Sequence, residues 1–190
     1  VATYTAQGDL NLARHSGHGE FPRMVLAPGC PREAEELTSQ AFYFSQKFGI
    51  PVIVLSDKHL AESIYTSDKE AKITPSKKMV ALKRFNSYET DKFGCATEDA
   101  ELIKKNVEDR LKKGKEIEVE AEKFEGFKIH RKNSKNLIVS WGSTQGAILD
   151  ASEGLNTQIL QVLYMEPFPK KIKKELEGKN LILIENNATG

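Results

Sequence analysis

Two continuously apolar runs separated by a helical repeat constrain the fold of this chain more than any other feature. The runs, Met-Val-Leu-Ala at residues 24–27 and Pro-Val-Ile-Val-Leu at 51–55, are typical of strands buried on both faces of a parallel sheet. Between them apolar residues recur at helical spacing, with Pro31 where a helix begins and Gly49 where it ends. The order strand, helix, strand predicts a βαβ unit.

The same alternation returns in the last third of the 190-residue chain. We predict strands at residues 137–141, 157–164 and 180–185, with helices at 147–153 and 170–177 between them. This part is therefore α/β as well, and the chain as a whole is predicted to be a parallel-sheet, Rossmann-like α/β protein. Open α/β domains usually continue with a helix after a buried strand such as 180–185, so we expect a fragment or an incompletely ordered chain.

The stretch between these two parts is charged and only weakly patterned. Residues 65–87 are dominated by lysine, serine and proline, which predicts an extended surface connector. A charged helix is predicted at about 98–115, capped near residues 97–99 and ended or bent by Gly114. Its charges are mixed in sign, which favours a solvated helix face over a binding tail.

Composition excludes several classes of protein. The 28 basic and 27 acidic residues give a net charge of +1, which disfavours a nucleic-acid binder. No apolar run reaches the roughly 18 residues of a membrane span, and the polar, mixed residues 1–10 do not resemble a signal peptide. We therefore expect a cytoplasmic protein that binds neither nucleic acid nor membrane. Cys30 and Cys95 are too few for a disulfide scaffold or for the ligands of an iron–sulfur cluster.

A glycine loop at residues 142–146 is the clearest candidate for an anion site. It follows a predicted strand and opens a helix, so the backbone N–H groups of Gly142, Ser143 and Thr144 could receive a phosphate or carboxylate. The loop lacks the lysine of a P-loop and the third glycine of a dinucleotide fingerprint. The alternative is a tight turn in which Ser143 or Thr144 caps the helix, and that alternative is favoured.

Other candidate positions are ambiguous on sequence alone. His15, His18 and Glu20 could bind a metal or move protons, but their spacing matches no zinc pattern, so a surface loop is favoured and no metal site is predicted. Asp57 and residues 185–187 follow predicted strands, where they either contact a ligand or cap the next element.

Cys30 precedes a predicted helix, whose dipole would lower the pKa of its thiol, but no general base is evident beside it. A structural or incidental thiol is therefore favoured for Cys30, and the same interpretation is favoured for Cys95, which lies in a polar loop. Trp141 is interpreted as a packing residue.

Several short segments, taken in order, resemble the α subunit of 2-oxoacid:ferredoxin oxidoreductases. They include Gln-Gly-Asp-Leu at residues 7–10 and Gly-His-Gly-Glu-Phe-Pro-Arg at 17–23. The others lie at residues 26–29, 51–63, 86–89, 97–99, 141–144, 167–169 and 185–187. Each match is weak alone, but their ordered combination covers most of the chain.

This resemblance implies a fold and an activity. Residues 1–64 would be the C-terminal part of a pyrimidine-type thiamine-diphosphate-binding domain, 65–135 a connector, and 136–190 an incomplete transketolase C-terminal-like domain. The complex would oxidatively decarboxylate a 2-oxoacid to its acyl-coenzyme A and reduce ferredoxin. A β subunit would hold the diphosphate and Mg²⁺ of the cofactor together with an iron–sulfur cluster, which agrees with the low cysteine count here.

The sequence also departs from the family pattern. The family usually has glutamate where Ala6 stands, the connector is short around residues 84–86, and the upstream Tyr-Pro-Ile-Thr-Pro type of segment is absent. No catalytic residue can therefore be transferred, and this chain alone is predicted to be inactive. Gln7, Asp9 and His18 are the candidates for an active-site or interface loop. Two alternatives stay open: a transketolase-like or E1-type thiamine enzyme subunit, and a non-catalytic α/β assembly module.

Overall fold

The computed structural model describes residues 6–17, 19–77, 88–131 and 133–187, and these form helices on two β-sheets. The helices are α1 Leu10–His15, α2 Pro31–Phe48, α3 Lys58–Glu62, α4 Ala100–Ala121, α5 Thr144–Ala151 and α6 Ile172–Leu176. The strands are β1 Met24–Leu26, β2 Val52–Val54, β3 Phe127–His130, β4 Asn136–Trp141, β5 Gln158–Val162, β6 Tyr164–Glu166 and β7 Asn180–Ile184.

The first sheet contains the predicted βαβ unit. Its strand order is β2-β1-β6, and β1 pairs with β2 in parallel, with Met24 opposite Val52. The connecting helix α2 begins with Pro31 in its first turn and ends at Gly49, whose φ of 62° gives the left-handed geometry typical of a glycine after a helix. These local signals account for the accuracy of the prediction.

The second sheet has the order β3-β5-β4-β7, in which β4 runs parallel to both neighbours and β3 is antiparallel to β5. Together with the first sheet it confirms the predicted α/β fold class with parallel strands. The two sheets are adjacent in the chain, because β5 ends at Val162 and β6 begins at Tyr164, antiparallel to β1 in the first sheet.

The core lies on both sides of β1. Met24 and Leu26 pack with α2 and α4, in a cluster that includes Phe44 and Ile117. Val25, on the opposite face, packs with the second sheet and α6. The buried members of this second cluster are Ala13, Val25, Ala27, Leu137, Trp141, Leu160, Val162, Met165 and Ile172. Because β1 is fully buried on both faces, the prediction made from its unbroken apolar run is confirmed.

Four details differ from the predictions. Helix α4 continues through Gly114 to Ala121, because its last turns pack into the core through Ile117 and Ala121. Strand β3 lies inside the predicted connector. The single strand predicted at 157–164 is divided between the two sheets. Strand β7, predicted to be buried, is an edge strand in which residues 181–183 are each at least 50% exposed.

Other predictions agree with the structure. Helix α3 directly follows Asp57, and residues 65–77 of the predicted connector contain neither helix nor strand, while its residues 78–87 lie outside the described ranges. Within the described ranges, no helix is both long enough and apolar enough to cross a membrane.

Candidate functional site

The buried side chain of Gln7 joins the loop before α1 to the second sheet. Its Nε2 donates to the carbonyl of Trp141 at 2.7 Å, and its Oε1 accepts from the backbone N–H of Asn186 at 2.8 Å. Gln7 is only 4% exposed. Trp141 ends β4 and Asn186 follows β7, so one amide group holds the carboxyl ends of two parallel strands against the N-terminal loop.

Asp57 connects the first sheet to the same place. It follows β2, and its Oδ1 caps α3 by accepting from the Leu60 N–H at 3.0 Å. Its Oδ2 accepts a hydrogen bond from the hydroxyl of Ser143, directly after β4. The capping interpretation of Asp57 therefore holds, and the carboxyl ends of β2 and β4 meet where open α/β proteins place their ligands.

A small pocket lies between these groups. It is lined by Ala6, Gln7, Asp9, Leu55, Ser56, Asp57, Trp141 and Gly142. Asp9 lies at the exposed start of α1, where its side chain makes no capping hydrogen bond. The pocket presents two carboxylates, so it suits a hydrogen-bond donor or a cation better than an anion.

The glycine loop forms the wall of this pocket. Gly142 has a φ of +67°, and a Cβ at that position would lie 2.6 Å from Nε2 of Gln7, so both the backbone conformation and the close approach favour glycine. Thr144 donates its hydroxyl to the Trp141 carbonyl at 2.9 Å. Ser143 is the N-cap residue of α5, as the tight-turn alternative predicts, but its side chain makes no capping hydrogen bond to the helix and donates to Asp57 instead.

The negative charge of Asp57 disfavours the anion site predicted at the glycine loop. Its carboxylate is hydrogen-bonded to Ser143, so an anion at the N-terminus of α5 would meet a like charge. Anion binding by Gly142, Ser143 and Thr144 stays a prediction.

A buried polar network beside this loop, centred on Glu33, was not predicted from the sequence. Glu33 is 1% exposed. Its Oε2 accepts from Gly29 N and Gln161 Nε2, and its Oε1 accepts from Lys128 Nζ and Gln145 Nε2, at distances of 2.6 to 3.2 Å. Burial pushes the pKa of Glu33 upward, but the hydrogen bond and charge of Lys128, with the Gly29 and Gln161 donors, outweigh it and hold the pKa below its ordinary value.

One sequence signal could have pointed to this network. Gln161 interrupts the apolar run predicted as a strand at 157–164, and it is buried. A buried amide needs hydrogen-bond partners, but its spacing does not tell which distant residues supply them.

Among the described residues, the remaining candidates are not brought together in a catalytic centre. His18 lies outside the described residues, and His15 and Glu20 are exposed. In the part of the chain that the structure describes, no three His, Cys, Asp or Glu side chains are grouped to hold a metal.

The cysteines and the tryptophan follow the favoured interpretations. Burial raises the pKa of the Cys30 thiol, which supports a structural role over a reactive one. Cys95 is exposed. Trp141 is 4% exposed within the core, and its Nε1 donates to Glu185 at 3.1 Å, so its packing role is confirmed.

The amino-acid sequence of this chain matches the model of a known protein family. A family model described as pyruvate flavodoxin/ferredoxin oxidoreductase, thiamine diphosphate-binding, matches residues 1–126. The chain belongs to this family. The resemblance inferred from the ordered short segments is thereby confirmed, and the matched region runs from the Gln7 loop through the whole of α4.

Individual relatives agree with the family model. The chain is 33% identical over 227 aligned positions to a 2-oxoacid:ferredoxin oxidoreductase subunit alpha from Saccharolobus solfataricus, covering 99% of this chain and 36% of the relative. It is 31% identical to subunit alpha of 2-oxoacid:ferredoxin oxidoreductase 1 from Sulfurisphaera tokodaii, covering 98% and 35%. The chain thus spans about a third of the length of these relatives. Both alignments exceed 190 positions, so these relatives carry segments without a counterpart here.

A solved structure shares the fold. A 2-oxoglutarate:ferredoxin oxidoreductase from Magnetococcus marinus, with 2-oxoglutarate, coenzyme A and succinyl-CoA bound, superposes with a TM-score of 0.73 at 22% identity. The match covers 99% of this chain and 39% of that one. It supports the arrangement of the two sheets and, at this identity, shows the fold alone.

Proposed function

We propose that this chain is part of the α subunit of a thiamine-diphosphate-dependent 2-oxoacid:ferredoxin oxidoreductase. The whole enzyme would convert a 2-oxoacid and coenzyme A to acyl-coenzyme A and carbon dioxide, passing the electrons to ferredoxin. The observation that carries this proposal is the match of a thiamine-diphosphate-binding family model to residues 1–126. The relatives named as α subunits, aligned over nearly the whole chain, support it.

The domain division is part of the same proposal. Residues 1–64 would end the pyrimidine-type domain, 65–135 would connect, and 136–190 would belong to the transketolase C-terminal-like domain. The two sheets support two units, one built on β1 and β2 and the other on β4, β5 and β7. Strand β6 pairs with β1 across the proposed boundary, which fixes the second unit against the first.

The pocket suits the aminopyrimidine end of thiamine diphosphate better than the diphosphate end. The carboxylates of Asp9 and Asp57 at the pocket can accept hydrogen bonds and suit the amino group of the aminopyrimidine ring. The pocket itself, about 10 Å³, has room for one water-sized group, so the ring would lie outside it. The same charges would repel the diphosphate, and no metal-binding group of side chains occurs within the described ranges. In line with the family resemblance, we propose that a partner subunit holds the diphosphate, Mg²⁺ and the iron–sulfur cluster.

The chain's own residues would position this pocket. When bound, thiamine diphosphate supplies the chemistry that cleaves the bond next to the 2-oxo group. Both ends of the Gln7 amide are hydrogen-bonded to the backbone, at Trp141 and at Asn186. We therefore propose that Gln7 is an interface residue that orders the loop before α1. Asp9, at the rim of the pocket, would contact the cofactor or the partner subunit.

The decisive experiment compares cofactor binding by the chain alone and by the assembled enzyme. The full-length α subunit is co-purified with its β partner, and thiamine diphosphate with Mg²⁺ is titrated into each sample by calorimetry. We expect saturable binding by the complex and weak binding by the isolated chain. A complex that binds no thiamine diphosphate overturns the proposal. Tight binding by the isolated chain contradicts the assignment of the diphosphate to the partner.

A further inference from the structure

The carboxylate of Glu33 links elements of both sheets at a single buried point. Its four donors come from the loop after β1, from β3, from α5 and from β5. A carboxylate has about four lone-pair positions for hydrogen bonds, so all of them are used. The group is therefore saturated and ionised, and it has no remaining acceptor position with which to act as a general base.

The donors of Glu33 are themselves held in place. Gln145 Nε2 also donates to Oε1 of Gln161 at 2.6 Å, and His130 Nε2 lies 3.2 Å from that same oxygen. Lys128 is 16% exposed and also lies 3.8 Å from Oε2 of Glu36. Removing one partner of such a buried pair leaves the other uncompensated, so the network is fixed as a unit.

Gly29 carries the effect of Glu33 to the glycine loop. Its N–H donates to Glu33 at 2.8 Å. A Cβ on Gly29 would lie 2.6 Å from Nε2 of Gln161 and 2.8 Å from the carbonyl oxygen of Gly142, distances that real Cβ atoms do not show. The loops after β1 and β4 therefore lie backbone against backbone, and the far side of Gly142 faces Gln7.

We infer that Glu33 is a positioning residue that sets the separation of the β1 and β4 loops and so the shape of the pocket between Gln7 and Asp57. Glu33 does not line that pocket; it acts on the Gly142 loop through its own partners Gly29 and Gln145. No chemistry at the pocket is required for this inference. Only the expected effect of Glu33 on cofactor binding rests on the proposed function.

The test uses Glu33→Gln, with Glu120→Gln as the matched control. Glutamine places an NH₂ group where an oxygen accepted, so at least one donor at the site loses its partner. Glu120 also accepts from several donors and holds two ion pairs, with Lys47 and Lys123, whose side chains are 41% and 65% exposed. These pairs lie beside the cluster of α2 and α4, away from the pocket.

The readout is hydrogen–deuterium exchange of two backbone amides at the pocket. Gln145 N donates to the Gly142 carbonyl and Asn186 N donates to Gln7, so each reports one side of the loop. In Glu33→Gln we expect both amides to exchange about tenfold faster while residues 103–113 of α4 keep the wild-type rate. Glu120→Gln is expected to lower global stability without this local change.

Two results would overturn the inference. One is a Glu33→Gln protein that is less stable but exchanges both pocket amides at the wild-type rate. The other is the same acceleration in Glu120→Gln. If Glu33→Gln does not fold, Gly29→Ala tests the same contact, because its Cβ collides with Gly142; wild-type exchange at the pocket in that variant also refutes the inference.

A second readout in the assembled enzyme separates this inference from the proposed function. We expect Glu33→Gln to raise the KM for thiamine diphosphate about tenfold with a smaller effect on kcat, because binding rather than chemistry is disturbed. A wild-type complex with no dependence on thiamine diphosphate would refute the function and leave the exchange result standing. A fall in kcat with an unchanged KM for thiamine diphosphate would refute the positioning role.

Discussion

Replacing Gln7 with leucine tests whether its amide joins the N-terminal loop to the second sheet. The substitution keeps the approximate volume but removes a donor to the Trp141 carbonyl and an acceptor for Asn186 N. Trp141 O keeps the hydroxyl of Thr144, and Asn186 is exposed enough to reach water. We therefore count about 1 kcal/mol per lost hydrogen bond, roughly 2 kcal/mol in total.

The assay is urea unfolding followed by the fluorescence of Trp141, the single tryptophan of the chain. We expect a lower midpoint at unchanged m-value, equivalent to a fall in Tm of about 4–8 °C for a chain of this length. Asp9→Asn, two residues away and without a capping bond, is the control and is expected to stay within about 0.5 kcal/mol. A Gln7→Leu protein with the wild-type midpoint would refute the reasoning.

Three further predictions follow from the same geometry. Gly142→Ala should lose at least about 1–2 kcal/mol from its left-handed φ alone, with more from the approach to Gln7; thermal unfolding measures this, and a wild-type Tm contradicts it. Asp57→Ala should cost about 1 kcal/mol by removing the cap of α3, measured by urea unfolding, where no loss would count against the cap. Hydrogen bonds from Lys123, Lys47 and Tyr43 hold the pKa of Glu120 at about 2 instead of 4.5. The stability that Glu120 adds is therefore fully present above pH 4.5 and is lost as the pH falls toward 2. The difference in unfolding free energy between wild type and Glu120→Gln should shrink over that range, and a constant difference would contradict the assignment.

Elements set by local signals were predictable from the sequence. Helix α2 has proline in its first turn, an apolar stripe and Gly49 in the left-handed conformation, and its predicted bounds agree with the structure. Strand β1 was recognised because an unbroken apolar run has few alternatives to full burial.

Elements set by distant contacts were not predictable in this way. Strand β3, Phe-Lys-Ile-His, exists because it pairs with β5 more than thirty residues later. Helix α4 continues through Gly114 because Ile117 and Ala121 pack into the core, which outweighs the roughly 1 kcal/mol cost of one glycine. Strand β7 has the apolar sequence of a buried strand, but pairing with β4 on one side leaves its other edge exposed.

The residues of the candidate site also differ in whether the sequence predicts them. Asp57 and the glycine loop were found because strand ends are readable from sequence, and Gln7 was found through the family resemblance. Glu33 stands in the first turn of α2, where an acidic residue is common, and its role could not be predicted because its donors Lys128 and Gln161 lie 95 and 128 residues away. Only the folded chain shows that this carboxylate is the centre of a buried network.

The most direct test of the account is 2-oxoacid-dependent reduction of a low-potential dye by the full-length α subunit co-purified with its β partner. The account predicts reduction that requires thiamine diphosphate and a 2-oxoacid and that is stimulated by coenzyme A. It also predicts no reduction by this chain alone. Absence of reduction by the assembled enzyme across the common 2-oxoacids would contradict the central claim.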